Sequence, residues 1–355
     1  MKYPKQVMDA ARAMAREVAY KIDSFAARMV GEGRADAQLA PIWAEKLRHT
    51  FPKLIEKKYP DLPAANGEVC PVDSSVDPAD LVWEYYQIDS GASWDWIDDD
   101  GSIMPSAYVK AQRFTGEMAA FAGAYGYTIP EMERAAKANV PLNQTKAAAM
   151  KRAHDRFCSE KWLFGDARKR IYGLLTHPNI PMMLAPAGVS TSRHYSLKTG
   201  DEILADIVSM IDSVPERSLE QHHVVQVFMP AGMDRRLRSL YVAGTASGTV
   251  TYWERLMSLF SGDDTGQPKV TFKTLNECRA DRRPTPDPFP FGGDLMFALP
   301  APSVEDLAFI RARGITMLPP ENVDLKVTIK AHAKIGGLKV VYPLSVVMMC
   351  FGDAP

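Results

Sequence analysis

Residues Thr128 to Gly173 read TIPEMERAAKANVPLNQTKAAAMKRAHDRFCSEKWLFGDARKRIYG, and the reading of this stretch decides the fold. It divides into a short helix, a break at Val140-Pro141, and one long helix. Thr128 lies two residues before Pro130, a start signal with proline at an early helical position. Asn139 and Pro141 stop the first helix, because proline lacks an amide donor and restricts the residue before it. Asn143 is then expected to cap the second helix by accepting from the amides of its first turn. Met150, Phe157 and Phe164 recur every seven residues, with Ala147 and Ala153 between them, so one apolar stripe faces a core. Gly165 and Asp166 end the run. The residues before this stretch read as an arm and a projecting hairpin, and the residues after it as a mixed α/β body.

A length of 355 residues is enough for two packed bodies with extensions. With 46% hydrophobic and 24% charged residues and a net charge of −1, bulk charge gives no reason to invoke nucleic acid or an anionic membrane. No eighteen apolar residues run together, and the opening MKYPKQVMDAARAMAREVAYK is amphipathic and charged rather than a secretory signal, so no membrane is expected. The chain is read as retaining its N-terminus. Cys70, Cys158, Cys278 and Cys350 lie far apart without a C-x-x-C pair, which fits reduced thiols in a cytoplasmic setting.

Charge is unevenly distributed along this near-neutral chain. Residues 1–60 hold 12 Lys and Arg against 7 Asp and Glu, a net of +5. Ala10, Met14, Val18, Ile22 and Phe25 keep helical spacing there, as do Trp43, Leu47 and Phe51. Two readings stand: a surface helix packed on the body, or an arm gripping a neighbouring subunit. Residues 61–117 reverse the sign, with 12 acidic residues against Lys110 and Arg113. Leu81–Ile88 reads as a strand, Asp89-Ser90-Gly91 as a turn, and Ser106–Thr115 as the returning strand. Arms of about eighteen residues would reach roughly 60 Å. A two-stranded hairpin of that length is marginal alone. Carrying Trp83, Tyr85, Trp94 and Trp96, it would expose apolar surface unless it leaned on something, most economically a second copy of the chain.

Beyond the long helix, Ile171–Pro181 is irregular and closed by prolines. Thr199 to about Val214 is a helix with Ile203, Ile207 and Ile211 on one face. Val224–Met229, Lys269–Thr274 and Leu295–Leu299 read as strands, and Asp234–Tyr241 and Thr251–Phe260 as helices. A proline-rich loop spans Arg282–Pro290. Val323–Lys330 and Leu338–Met349 close the chain as strands.

No constellation for catalysis or metal binding emerges. Asp98-Asp99-Asp100-Gly101-Ser102 lacks the spaced ligands and closing glutamate of a calcium loop and reads as a solvated or partner-facing acidic turn. Adjacent His222 and His223 would point to opposite faces of a strand, a poor chelate, and read as structural. Gly244–Gly248 lacks the ending of a phosphate loop and the nucleophile-elbow pattern. Catalytic residues, metal ligands and cofactors are therefore none, and no enzyme activity is expected.

In their order, several segments resemble the tailed-bacteriophage major capsid protein family: Tyr125-Gly126-Tyr127-Thr128, Lys146, Phe164-Gly165-Asp166, Ile171-Tyr172-Gly173-Leu174-Leu175 and Pro178-Asn179-Ile180, with Leu318-Pro319-Pro320 and Tyr342-Pro343-Leu344-Ser345 in the tail. The resemblance covers most of the chain after residue 80. It implies an α+β chain with the Hong Kong ninety-seven capsid fold, shared with herpesvirus floors and encapsulin shells. In that fold the N-terminal helical arm would be 1–80, the extended E-loop hairpin 81–118, and the P-domain with its long spine helix 119–199. The mixed α/β A-domain would be 200–320, the P-domain return strand 321–337, and the A-domain C-terminal strand 338–355. The first 60 residues match least and are read as taking the place of a removable scaffolding region. The founding member joins its subunits by a lysine–asparagine bond. Lys110 is the only E-loop lysine, but its surroundings do not match a cross-linking context, so that chemistry is not carried over.

The role implied is a major capsid protein that self-assembles into hexamers and pentamers of an icosahedral phage head around packaged double-stranded DNA. It would act in the virion after assembly in the host cytoplasm. Its partners would be many copies of itself, with portal, scaffolding or decoration proteins and non-specific contact of the basic arm with DNA. Residues 146–170 carry a net of +5. The expected subunit interface therefore sets Trp94, Asp95, Trp96, Asp98, Asp99 and Asp100 of the E-loop over a neighbour's basic Lys146, Lys151, Arg152, Arg156, Arg168, Lys169 and Arg170, or over its basic arm. Aromatic burial would supply most of the energy and charge the register. Two alternatives are an encapsulin-like shell around cargo and a cytoplasmic α/β enzyme whose hairpin is a lid.

Overall fold

The computed structural model describes residues 62–94, 107–138, 141–242, 250–262, 268–283 and 292–352, with Arg16 and Lys21 alone before them, both helical and exposed. The chain divides into two units, Met1–Pro60 and Asp61–Pro355, and the elements below belong to the second. The expected helices of the arm, the acidic run Asp98–Asp100, the Gly244–Gly248 loop and most of the proline-rich loop lie outside the described residues.

Among the described residues are thirteen strands and five α-helices. Strand β1 is Val72–Asp73, β2 Val82–Gly91 and β3 Tyr108–Thr128. Helices α1 (Ile129–Lys137) and α2 (Leu142–Phe164) come next. After β4 (Met182–Leu184) come α3 (Gly200–Ser218), β5 (Gln226–Met229), α4 (Ala231–Ser239), α5 (Tyr252–Leu259) and β6 (Thr271–Thr274). The remaining strands are β7 (Leu295–Leu299), β8 (Leu307–Ile310), β9 (Arg313–Met317), β10 (Glu321–Val323), β11 (Lys326–Gly336), β12 (Leu338–Val340) and β13 (Val347–Cys350).

The deciding stretch folds as two helices around the proline break, but it is capped differently. Thr128 accepts from the Glu131 amide and starts α1, with Pro130 in the first turn. At α2 the cap position is Pro141, with no side-chain cap, while the Asn143 side chain accepts from the Tyr125 hydroxyl instead. A tertiary partner on β3 therefore wins over local capping. The apolar stripe is also shorter than its spacing suggests. Cys158, Trp162, Leu163 and Phe164 are buried, Ala147 and Met150 are half-buried, and Ala153 is exposed. The N-terminal part of α2 lies along β3 rather than inside a core. Gly165 ends α2 at φ 69°, where its amide reaches the Lys161 carbonyl and a Cβ would collide with the Ile171 carbonyl oxygen.

In the five-stranded sheet, ordered β4-β13-β7-β5-β6, the three central strands are buried on both faces, and their period-2 alternation divides them between two cores. Phe228, Leu295, Phe297, Leu299, Met348 and Cys350 face the core that receives the end of α2, where the Trp162 ring stacks on Phe309 at 5.1 Å. Val227, Met229, Met296, Ala298, Val347 and Met349 face the core under α3, α4 and α5, joined by Ile203, Ile207, Met210, Met233 and Leu256. Helix α3 carries the capping box of Thr199 and Glu202 and runs past Pro215 to Ser218, a turn beyond the expected end. A buried ion pair, Lys198 with Asp206, sits beside it, and burial pushes the Asp206 carboxyl above its usual range against the pull of Lys198.

The other sheets correct the strand boundaries. Asp89-Ser90-Gly91 is not a turn: these residues extend β2 and pair with Lys110, Val109 and Tyr108. The returning strand is 21 residues rather than ten, because β3 continues beyond Glu117, the partner of Val82, into an antiparallel ladder with β11 from Met118↔Gly336 to Thr128↔Lys326. Val323–Lys330 is a hairpin of β10 and β11 turning at Asp324, which adopts φ 53°, and β9 pairs with β11 farther along. A three-stranded sheet, β1-β8-β12, completes the body. Strand β4 lies in the five-stranded sheet, whereas β8, β9 and β12 lie outside it.

Trp162 is 1% exposed, and its indole N–H finds no partner among the described residues. Trp162→Ala should therefore cost about 3–5 kcal/mol in chemical denaturation, and Trp162→Phe, which keeps a ring against Phe309, well under half of that. For the ion pair, Lys198→Met alone should cost about 3–5 kcal/mol, and pairing it with Asp206→Leu should recover most of the loss.

Candidate functional site

The β2–β3 ribbon and the exposed side of α2 are where the expected interface residues fall. In an antiparallel ladder, paired residues share a face. One face of the ribbon carries Trp83, Tyr85, Gln87, Phe114 and Gly116, and its inner half docks on the chain's own body. Trp83 stacks on Tyr85 at 6.2 Å, Tyr85 on Phe114 at 5.1 Å, and the Tyr85 hydroxyl donates to the Val340 carbonyl at 2.6 Å. Gly116 lies directly under the Trp83 indole, which leaves no room for a Cβ. Trp83 also packs on the small core of Met118, Ile310 and Ala312. The expectation that Trp83 and Tyr85 lean on a second copy is thus corrected: they rest on their own body and attach the ribbon to it.

The opposite face carries Val82, Tyr86, Ile88 and Val109, all exposed, with Glu84 and Arg113 among them at 3.9 Å. Farther out, Trp94 is 97% exposed. Asp95, Trp96, Asp98, Asp99 and Asp100 lie outside the described residues. The outward-facing residues were missed by sequence reasoning. The stretch LVWEYYQI alternates, but only its pairing with Gly116 tells which set turns inward.

The basic residues do not form one patch. Lys146 is committed within its own subunit, donating to Glu131 at 2.7 Å and to the Gly126 carbonyl at 2.9 Å. Its proximity holds the Glu131 carboxyl below its usual range. Arg170, in the left-handed region at φ 51°, reaches Glu117 at 3.7 Å across the root of the ribbon. Lys161 pairs with Asp166 at 3.0 Å and keeps that carboxyl low. Lys151, Arg152, Arg156, Arg168 and Lys169 are exposed. Arg152 and Arg156, one turn apart, share a face of α2, whereas Lys151 lies on another.

The described residues contain no group of three or more His, Cys, Asp or Glu placed to hold a metal ion, and all four cysteines are buried and outside any disulfide. His154 lies 2.9 Å from Asp155 and 3.6 Å from the Cys158 sulfur, yet burial pushes that thiol up to about 12, so it is no nucleophile. No described helix is long and apolar enough to cross a membrane.

A family model described as major capsid protein matches residues 93–280 of the sequence. Among solved structures, the fold is similar to the capsid of Myoviridae phage XM1, with a TM-score of 0.71 at 14% identity over 86% of this chain and 97% of that one. It is also similar to the capsid of the native GTA particle, at TM-score 0.58 and 11% identity over 86% and 96% of the two chains. A Mycobacterium phage Ogopogo chain gives a TM-score of 0.57 and 12% identity over 87% and 98%. No curated protein matches the sequence.

The two tyrosines adjacent in β2 give a direct check on which face is docked. Tyr85→Phe leaves the Val340 carbonyl without its donor and should lower stability by about 1 kcal/mol in urea unfolding, while Tyr86→Phe should change it by less than about 0.5 kcal/mol.

Proposed function

The chain belongs to the major capsid protein family, and from that premise we propose that its copies assemble as hexamers and pentamers into an icosahedral head enclosing double-stranded DNA. It is a structural protein of a tailed-phage virion shell, built of many copies, and not an enzyme. In the proposed correspondence, β2 and β3 up to Met118 are the E-loop and α2 is the spine helix. The five-stranded sheet with α3, α4 and α5 forms the A-domain, and β11 is the strand returning to the P-domain.

The observation that carries the reading is the ribbon's division of faces. The root half of its inner face is taken up by its own body, while Tyr86, Ile88 and Val109 on the other face, and Trp94 farther out, are exposed. Copies that clasp one another cover this surface, and closure of the shell multiplies many moderate contacts. The acidic tip, Asp95 with Asp98 to Asp100, is proposed to lie over a neighbour's Arg156, Arg168, Lys169 and Arg170, the last held only by a solvent-exposed contact with Glu117. Lys146 and Arg152 drop out of that set because each has a partner within its own subunit. Each exposed pair contributes about 0–1 kcal/mol, so the aromatic anchors Trp94 and Trp96 supply more of the energy and the charges fix register. Contacts with portal, scaffolding or decoration proteins and assembly in the host cytoplasm belong to the same reading. The basic N-terminal arm is proposed to touch packaged DNA through salt-sensitive phosphate contacts.

Electron microscopy of the purified full chain should show closed shells, and a monomer or small oligomer at assembly concentrations would overturn the reading. Ile88→Asp should abolish shells without lowering subunit stability by more than about 0.5 kcal/mol, since the side chain is exposed. Replacing Asp98, Asp99 and Asp100 together by Asn should weaken assembly. Shells of unchanged yield and salt tolerance would remove the electrostatic part of the proposal.

A further inference from the structure

At one point the long strand β3 changes partner. Glu117 pairs with Val82 of β2, and the next residue, Met118, pairs with Gly336 at the end of β11. The two-stranded ribbon therefore begins at Met118, and its first residues still rest on the body through Trp83 and Tyr85. Lys334, two residues before Gly336 on the same face of β11, is 9% exposed, and no carboxylate among the described residues is its partner. Its ammonium instead donates to two main-chain carbonyls of the segment leading into β2, that of Pro78 at 2.9 Å and that of Asp80. The Trp83 indole lies against Gly336 on the same side.

Keeping an ammonium group in so dry a place costs free energy that an apolar side chain would not incur. What the arrangement fixes is local: a charge-assisted donor grips the backbone of a segment that carries no regular structure of its own between β1 and β2. From these contacts we infer that Lys334 is a positioning residue, setting the angle at which the ribbon leaves the body and thereby the angle between neighbouring copies. Lever geometry makes this matter. Beyond Tyr85, which is held at the Val340 carbonyl, the six remaining residues of β2 extend about 20 Å, so a tilt of about 5° at the root moves the far end by about 2 Å, over half a residue step along a strand. A shift of that size is enough to put the outer face out of register with whatever it meets.

The inference rests on the shell reading for its consequence, but its local part is tested independently. Lys334→Met in the full chain is monitored by hydrogen exchange on the subunit and by electron microscopy of assembled particles. Exchange in peptides covering 76–91 and 108–117 should rise roughly tenfold while α3 and the five-stranded sheet keep their protection. Assembled particles should lose the single diameter of the parent and become mixed or open. Lys334→Arg, which keeps a charged donor, should restore one diameter. If Lys334→Met does not fold, Lys334→Gln, whose shorter amide cannot span both carbonyls, carries the same expectations. Unchanged exchange at the ribbon root would overturn the positioning role. Raised exchange with one parental diameter would overturn its link to curvature. Failure of the parent chain to form any particle would instead count against the shell reading, and the exchange result would still decide whether Lys334 holds the ribbon.

Discussion

Everything in the described body is arranged around one covalent fact: Tyr108–Thr128 is a single strand serving two ladders. Its first half holds β2, and its second half holds β11 and supports α2. A strand cannot bend freely while both its ladders are intact, so the ribbon is a continuation of the body rather than a loose loop. That distinguishes it from an isolated two-stranded hairpin, which would be marginal in water. The pins at the junction, Tyr85 to Val340 and Lys334 to Pro78 and Asp80, act close to where the strand changes partner.

Away from that strand, the five-stranded sheet shows how burial and alternation divide labour. Strand β7 is buried at every residue, so it reads as a continuous apolar run. Its odd and even side chains nonetheless go to different cores, one closed by the end of α2 and the other by α3, α4 and α5. The stack of Trp162 on Phe309 ties the long helix to β8, linking the ribbon's support to the body. A subunit built this way has a well-buried centre and exposes apolar side chains on the ribbon as well as on the body, Val189 and Leu219 among them, an arrangement that makes sense for a protein whose partners are its own copies.

Much of this was legible in the sequence, and where it was not the reasons are physical. Proline and capping signals placed α1, α2 and α3, because those signals act through local backbone chemistry: Thr128, Pro141, and Thr199 with Glu202. Asn143 misled because Tyr125, eighteen residues away in sequence, competes for its side chain. Length was misjudged at β3 because Glu117 to Thr128 is rich in Ala and Gly, which carry little strand signal, and its pairing with β11, some two hundred residues later, cannot be read locally. Short strands such as β1, β4 and β10 have no periodicity to detect. In the candidate site, charge counting found the basic stretch but could not see that Lys146 was already spoken for. Alternation in β2 was visible, yet the identity of the inward face depended on the glycine opposite Trp83.

The central claim is that the outward face of the ribbon is covered by a second copy while its inward face stays on its own body. The most direct measurement is a cryo-electron-microscopy reconstruction of assembled particles at side-chain resolution. The account predicts Tyr86, Ile88 and Val109 buried against another subunit, with Trp83 and Tyr85 still packed on their own. A reconstruction in which Tyr86, Ile88 and Val109 remain in solvent, or in which Trp83 and Tyr85 have left their body to reach a neighbour, would contradict it.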